Sequence, residues 1–109
     1  GYLYVVDRIK NMFISGGENI YPAEIESVLI SHEDISAVAV IGQPDERWGE
    51  VGHAFIVLKE EKKPDEGALT EWCRNHLAKF KVPKFFSFLE ALPKNDAGKI
   101  DKRALKERI

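Results

Sequence analysis

The sequence predicts an α+β domain, a small central β-sheet flanked by helices, on three observations. Short runs rich in aromatic and β-branched residues recur along the chain. One stretch carries a helical stripe, and clusters of Gly, Pro, Asp and Asn punctuate the intervals. The order of these elements, strands and helices intermixed within 109 residues, fits one domain around one modest core. With 44% hydrophobic and 31% charged residues, the composition is that of a folded chain rather than a disordered one.

Residues 2–6 and 12–14 read as two strands separated by the polar Asp7-Arg8-Ile9-Lys10-Asn11. Ser15-Gly16-Gly17-Glu18-Asn19 is a loop by composition. Pro22 suits a first helical position, Glu24 and Glu26 suit the positive end of a helix dipole, and Ile25, Val28 and Leu29 fall at i, i+3 and i+4. These predict a helix over 22–31, although Tyr21 is a poor N-cap. The apolar run 37–41 reads as a buried strand that Gly42-Gln43-Pro44-Asp45 breaks. Another strand lies within 52–59, and 59–67 is a charged turn region. Leu69, Trp72, Cys73, His76, Leu77 and Phe80 then form one helical stripe, with Lys79 and Lys81 at its C-terminal end and Pro83 as the stop. The last strand covers 85–89 and a turn-rich loop 93–99; Asp101 caps a final helix with Leu105 and Ile109 on one face.

A formal net charge of -2 argues against a general nucleic-acid binder, which would usually be basic, and leaves a local basic cluster open. The single cysteine, Cys73, permits no intrachain disulfide and no cysteine-based metal cage, and it agrees with a reducing, cytoplasmic setting. No apolar run approaches the roughly 18 residues of a membrane span, and no signal peptide is visible. The chain opens without methionine and reads as a processed product or a fragment of something longer. His32, His53 and His76 are scattered, with no metal-ligand spacing. On the apolar stripe, His76 reads as a core histidine and Cys73 as a small buried hydrophobe.

Each candidate functional feature has a plain structural reading beside it. Arg8 matches phosphate geometry through its guanidinium, yet Asp7 to Lys10 also reads as a solvated turn. Gly16-Gly17 lets a ligand or another backbone come close, or simply makes a turn; neither a GxGxxG nor a P-loop pattern is present. Trp48 is either a binding platform or the cover of a core edge. Lys99, just past Gly98, is a solvated turn lysine or a cation presented to an anionic partner.

The order of these weak signals is more specific than any one of them. Asp7-Arg8-Ile9-Lys10-Asn11-Met12-Phe13-Ile14-Ser15-Gly16-Gly17-Glu18-Asn19-Ile20-Tyr21-Pro22 resembles the motif that opens the C-terminal domain of the adenylate-forming superfamily. Pro44-Asp45 through Trp48-Gly49-Glu50, Phe80-Lys81-Val82-Pro83-Lys84, and Leu92-Pro93-Lys94 through Gly98-Lys99-Ile100 resemble three further family segments, so the resemblance covers essentially the whole chain. It implies the C-terminal lid domain of an ATP- and Mg²⁺-dependent acid:CoA ligase, working with an N-terminal domain of the same chain on a carboxylic acid, ATP and coenzyme A.

By the same resemblance, Lys99 is the catalytic lysine of adenylate formation, Arg8 contacts nucleotide and Lys10 is the hinge. Gly16 and Gly17 line the pantetheine tunnel, with Glu18 and Asn19 near the reactive centre. Trp48 and Phe80 contact coenzyme A, Phe80 against the adenine. Val82 stands where some aryl-CoA members have a phosphate-binding arginine, leaving Lys79, Lys81 or Lys84 to substitute. Family members with these motifs also include peptide-synthetase adenylation domains and luciferase-type oxygenases. A free-standing binding module is the non-enzymatic alternative.

Overall fold

The computed structural model describes residues 12–63 and 65–108. The strand expected over 2–6, together with Arg8, Lys10 and Ile109, lies outside them. Strand β1 (Phe13–Ser15) turns through Gly16-Gly17 into β2 (Glu18–Ile20). Both glycines have positive φ, +57° and +86°, the pattern of a two-residue type I′ hairpin. The stretch 15–19 is therefore not all loop. Burial of Ile20 opposite Phe13 pulls residues 18–20 into the sheet.

Helix α1 (Pro22–Leu29) follows with Pro22 in its first turn and Ile25 and Leu29 buried; Tyr21 provides no side-chain cap. Strands β3 (Ile35–Asp45) and β4 (Gly49–Leu58) form a long antiparallel hairpin. β3 runs straight through Gly42-Gln43-Pro44-Asp45, where composition predicts a break. Among the described residues it pairs only with β4, so alternate N–H groups face away from that partner. Val40 N–H is one of these, donating to Glu26 Oε2 at 2.8 Å, and Pro44 shares its parity, so its missing N–H costs no ladder bond. Glu26 also meets Lys102 Nζ at 2.9 Å, which ties α1 and the C-terminal segment to this edge and blunts it.

Helix α2 (Glu66–His76) is capped by Asp65, whose side chain accepts from Ala68 N–H at 3.0 Å. It buries Leu69 and Cys73 but ends before the predicted stripe does. Leu77 is extended, and Lys79–Lys81 forms a separate 3₁₀ turn ahead of Pro83, because the chain must straighten to bring β5 (Phe85–Phe88) parallel to β4. Phe80 is thus not helical core. His76 is also exposed rather than buried, with Nδ1 2.8 Å from Trp72 O and its ring stacked on Trp72 at 4.0 Å. Helix α3 (Lys102–Lys106) closes the fold, with Asp101 accepting from Ala104 N–H at 3.1 Å.

Strand alternation divides the core. Val38, Val40, Ala54 and Ile56 face α1 and α2; Ala39, Ile41 and Phe55 face Leu92 and Leu105 on the other side. Both β1 and β5 border β4 on the side away from β3, β1 at Gly49 and β5 from His53 onward. Between them, at residues 50 and 51, that edge of β4 has no strand partner among the described residues, and Gly52 O accepts from Lys84 N–H at 2.9 Å, just ahead of β5. No helix among the described residues is long and apolar enough to cross a membrane.

Among the described residues, one polar side chain is buried within the sheet. His53, 9% exposed, stacks on Phe55, with Nδ1 2.7 Å from Gln43 Oε1 and Nε2 2.7 Å from Ser87 Oγ. Because Gln43 Oε1 can only accept, Nδ1 carries the proton, and the neutral ring is satisfied at both nitrogens. Burial lowers the His53 pKa from 6.5, with Glu66 opposing. A depressed folded pKa means that stability is held above the unfolded value of 6.5 and lost as pH falls through it toward the folded value. Thermal melts of the chain across about pH 5 to 8 should show that loss, and His53→Gln should flatten it. Equal pH slopes for the two proteins would remove His53 as the cause.

Candidate functional site

The unpartnered stretch of β4 opens a cleft of about 400 Å³. The β1–β2 hairpin forms one wall, with Gly16 and Glu18; the 3₁₀ turn and the residues after it form the other, with Lys79, Phe80 and Lys84. Trp48 comes in from the β3–β4 hairpin, and Val51 and Gly52 line the floor. Trp48 and Phe80 are 38% and 45% exposed, high values for large aromatic rings in a concave site.

Close packing holds Trp48 in place. Gly16 N–H donates to Trp48 O at 2.9 Å, and a Cβ on Gly16 would lie 2.6 Å from Trp48 Cε3. Lys84 Nζ lies 4.8 Å from the centre of the indole and Arg47 Cζ 5.4 Å, both within cation–π range. Lys81 Nζ is 5.6 Å from the Phe80 ring but is also bound to Glu24 at 2.6 Å. Among the described residues, Lys79 and Lys84 have no such carboxylate partner. Val82 packs against the core below α1 and α2. Two exposed aromatic rings beside lysine ammonium groups suit a ligand that joins a flat base to phosphates.

Lys99 lies elsewhere. The bridge between Lys94 and Ile100 closes its loop, and Gly98 adopts φ +79° at the turn. The loop borders a separate concavity of about 590 Å³ with Ala37, Val57 and Leu92, residues of the core face that packs on α3. The two concavities share no lining residue.

The structure therefore gathers Gly16, Glu18, Trp48 and Phe80 and keeps Lys99 apart. Among the described residues, Gly17 sits at the hairpin tip with nothing within 4 Å of an added Cβ, and Asn19 pairs with Ile14; neither lines the cleft. Val51 and Gly52 escaped the sequence reading because they look like ordinary strand residues. Their role arises only from the gap between β1 and β5. Among the described residues, no group of three or more His, Cys, Asp or Glu could hold a metal ion.

Residues 24–99 match the family model described as the AMP-binding enzyme C-terminal domain. The chain is 53% identical over 108 residues to the long-chain-fatty-acid--CoA ligase FadD13 of Mycobacterium tuberculosis, covering 99% of this chain and 21% of that protein. It is 50% identical over 109 residues to the 2-succinylbenzoate--CoA ligase of Geobacillus kaustophilus, covering 100% and 22%. Among solved structures, a Mycobacterium tuberculosis fatty acyl CoA synthetase superimposes with a TM-score of 0.84 at 50% identity, over 93% of this chain and 20% of that one. The chain thus spans about a fifth of the length of the relatives it matches.

Proposed function

The chain belongs to the AMP-binding enzyme C-terminal domain family, and from that premise we propose that it is the lid domain of an ATP-dependent carboxylic acid:CoA ligase. The observation that carries this reading is the separation of the Lys99 loop from the Gly16–Trp48–Phe80 cleft. A ligase of this kind runs two half-reactions on one substrate site in an N-terminal domain. Two surfaces, presented in turn by rotation about the hinge at Lys10, would serve them.

In the first half-reaction a carboxylate oxygen attacks the α-phosphorus of ATP, the new O–P bond forms and pyrophosphate leaves. Lys99 places an ammonium between the two approaching anions and offsets their repulsion as charge builds up on the phosphorus oxygens. Arg8 contacts the nucleotide. In the second, the coenzyme A sulfur, as thiolate, attacks the acyl carbonyl carbon and AMP leaves with the C–O bond electrons. Gly16 and Gly17 border the pantetheine arm, with Glu18 and Asn19 toward the reacting end. Trp48 and Phe80 hold the nucleotide part of coenzyme A, and Lys79 and Lys84 face its phosphates. Magnesium would be held outside this chain by the triphosphate and the N-terminal domain. The relatives reported above act on fatty and succinylbenzoic acids, which supports a carboxylic acid substrate for the parent enzyme.

Each proposed surface is only one wall of a site. The isolated 109-residue chain is therefore expected to fold as a monomer but to bind ATP and coenzyme A weakly. Each 1.4 kcal/mol of contact left to the other domain weakens binding about tenfold. Calorimetric titration is the test, and low-micromolar affinity for either ligand would show a self-contained site and end the lid-domain reading.

A further inference from the structure

The two functional loops are built on one device, although they lie on different surfaces. In the β3–β4 turn, Asp45 Oδ2 accepts from both Arg47 N–H at 3.1 Å and Trp48 N–H at 2.9 Å. In the lysine loop, Asn95 Oδ1 accepts from both Ala97 N–H at 2.9 Å and Lys99 N–H at 3.1 Å. Each shared oxygen ends on the main-chain N–H of the functional residue itself. A positive-φ glycine adjoins that residue in both loops, Gly49 after Trp48 and Gly98 before Lys99.

A second layer of main-chain bonds closes the lysine loop. Asn95 N–H donates to Lys99 O at 2.8 Å, and Gly98 N–H to Asn95 O at 2.9 Å. The turn-rich loop is therefore pinned at its functional residue. Both clamps are exposed, so their bonds exchange readily with water and add little to the stability of the fold. Their effect is local: they fix the backbone from which the functional side chain projects, for Trp48 in addition to the packing around its ring.

We propose that Asp45 and Asn95 are positioning residues, each serving one half-reaction. Asn95 sets Lys99 for adenylate formation, and Asp45 sets Trp48 for thioester formation. This rests on the function proposed above for Lys99 and Trp48. Loss of a clamp lets its side chain sample orientations that miss the substrate, and an ångström-scale misplacement can cost up to about a hundredfold in rate. What each clamp needs is an accepting oxygen, not a charge. Asp45→Asn and Asn95→Asp keep that oxygen, whereas alanine removes it.

The test uses the full-length enzyme and separates the half-reactions. Acid-dependent ATP–pyrophosphate exchange reports the first, and coenzyme A consumption from supplied acyl-adenylate reports the second. Asn95→Ala should lower exchange roughly ten- to a hundredfold and leave the KM for coenzyme A unchanged. Asp45→Ala should raise that KM by a similar factor and leave exchange unchanged. Asp45→Asn and Asn95→Asp should stay near wild type in both assays. Alanine variants that lower both activities together, or neither, overturn the inference.

Lys99→Ala and Trp48→Ala serve as references. If they separate the half-reactions while the clamp variants do not, the positioning inference alone fails. If Lys99→Ala and Trp48→Ala do not separate them, the functional reading and the inference fall together.

Discussion

Replacing Lys99 by alanine in the full-length enzyme is expected to slow acyl-adenylate formation by about 10²- to 10³-fold, with thioester formation from supplied acyl-adenylate largely intact. The asymmetry comes from where charge builds up. Carboxylate and α-phosphate are both anionic, and their approach is opposed until a cation lies between them. In the proposed second half-reaction the thiolate would attack a carbonyl carbon while the other surface of the domain faces the site. Lys99 shares no concavity with Gly16, Trp48 or Phe80, which supports the proposal that the two sets are presented in turn. Single-turnover measurements of each half-reaction decide the matter. Equal losses in both would mean that Lys99 supports the fold or a ligand common to both steps. Lys99→Arg should recover little, because the bulkier planar guanidinium cannot take the place of a compact ammonium.

Much of this architecture was legible in the residues. The stripe from Leu69 located α2, Pro22 and the spacing of Ile25 and Leu29 located α1, and Asp101 capped the last helix as its side chain predicts. Local chemistry decides these features. The discrepancies arose where pairing partners override local preference. Glu18 and Asn19 look like loop residues but are strand residues, because the positive φ of Gly16 and Gly17 folds them back on β1. Pro44 looks like a break but lies on an outer edge where its missing N–H is harmless. His76 and Phe80 keep the helical spacing, yet the helix stops at His76 and both side chains face solvent.

The site was legible only in part, for the same reason. Motif order pointed to Lys99, Trp48, Phe80 and the glycine pair. It could not show that Gly17 and Asn19 lie outside the cleft lining, or that a gap in the sheet supplies Val51 and Gly52. The clamps were readable in principle: Asp45 and Asn95 each precede a glycine by three or four residues, the spacing of an Asx turn closing on a positive-φ position. That spacing is common, and only the bonds to Trp48 and Lys99 give it meaning.

Gly16→Ala is expected to impair thioester formation strongly while sparing adenylate formation. Two effects act at one Cβ. At φ +57°, any residue other than glycine is strained by roughly 1–2 kcal/mol. The new Cβ would also lie 2.6 Å from Trp48 Cε3 and 2.9 Å from Cζ3, so the indole must move. Asp45 holds its backbone, and Lys84 and Arg47 lie against the ring, so the displacement falls largely on the side chain that borders the cleft. A ring shifted by about an ångström can cost on the order of a hundredfold in a reaction that depends on its position. Gly17→Ala is the comparison: φ is +86° there but no described atom lies within 4 Å of an added Cβ, so it carries the backbone strain without the collision, and Gly16→Ala should lose more than it does. If collision is the cause, adding Gly16→Ala to Trp48→Ala should cost only the backbone strain, a non-additivity that a double-mutant cycle reads directly. Full additivity in that cycle, or equal losses for the two glycine variants, would show that the Gly16–Trp48 contact does not shape the cleft.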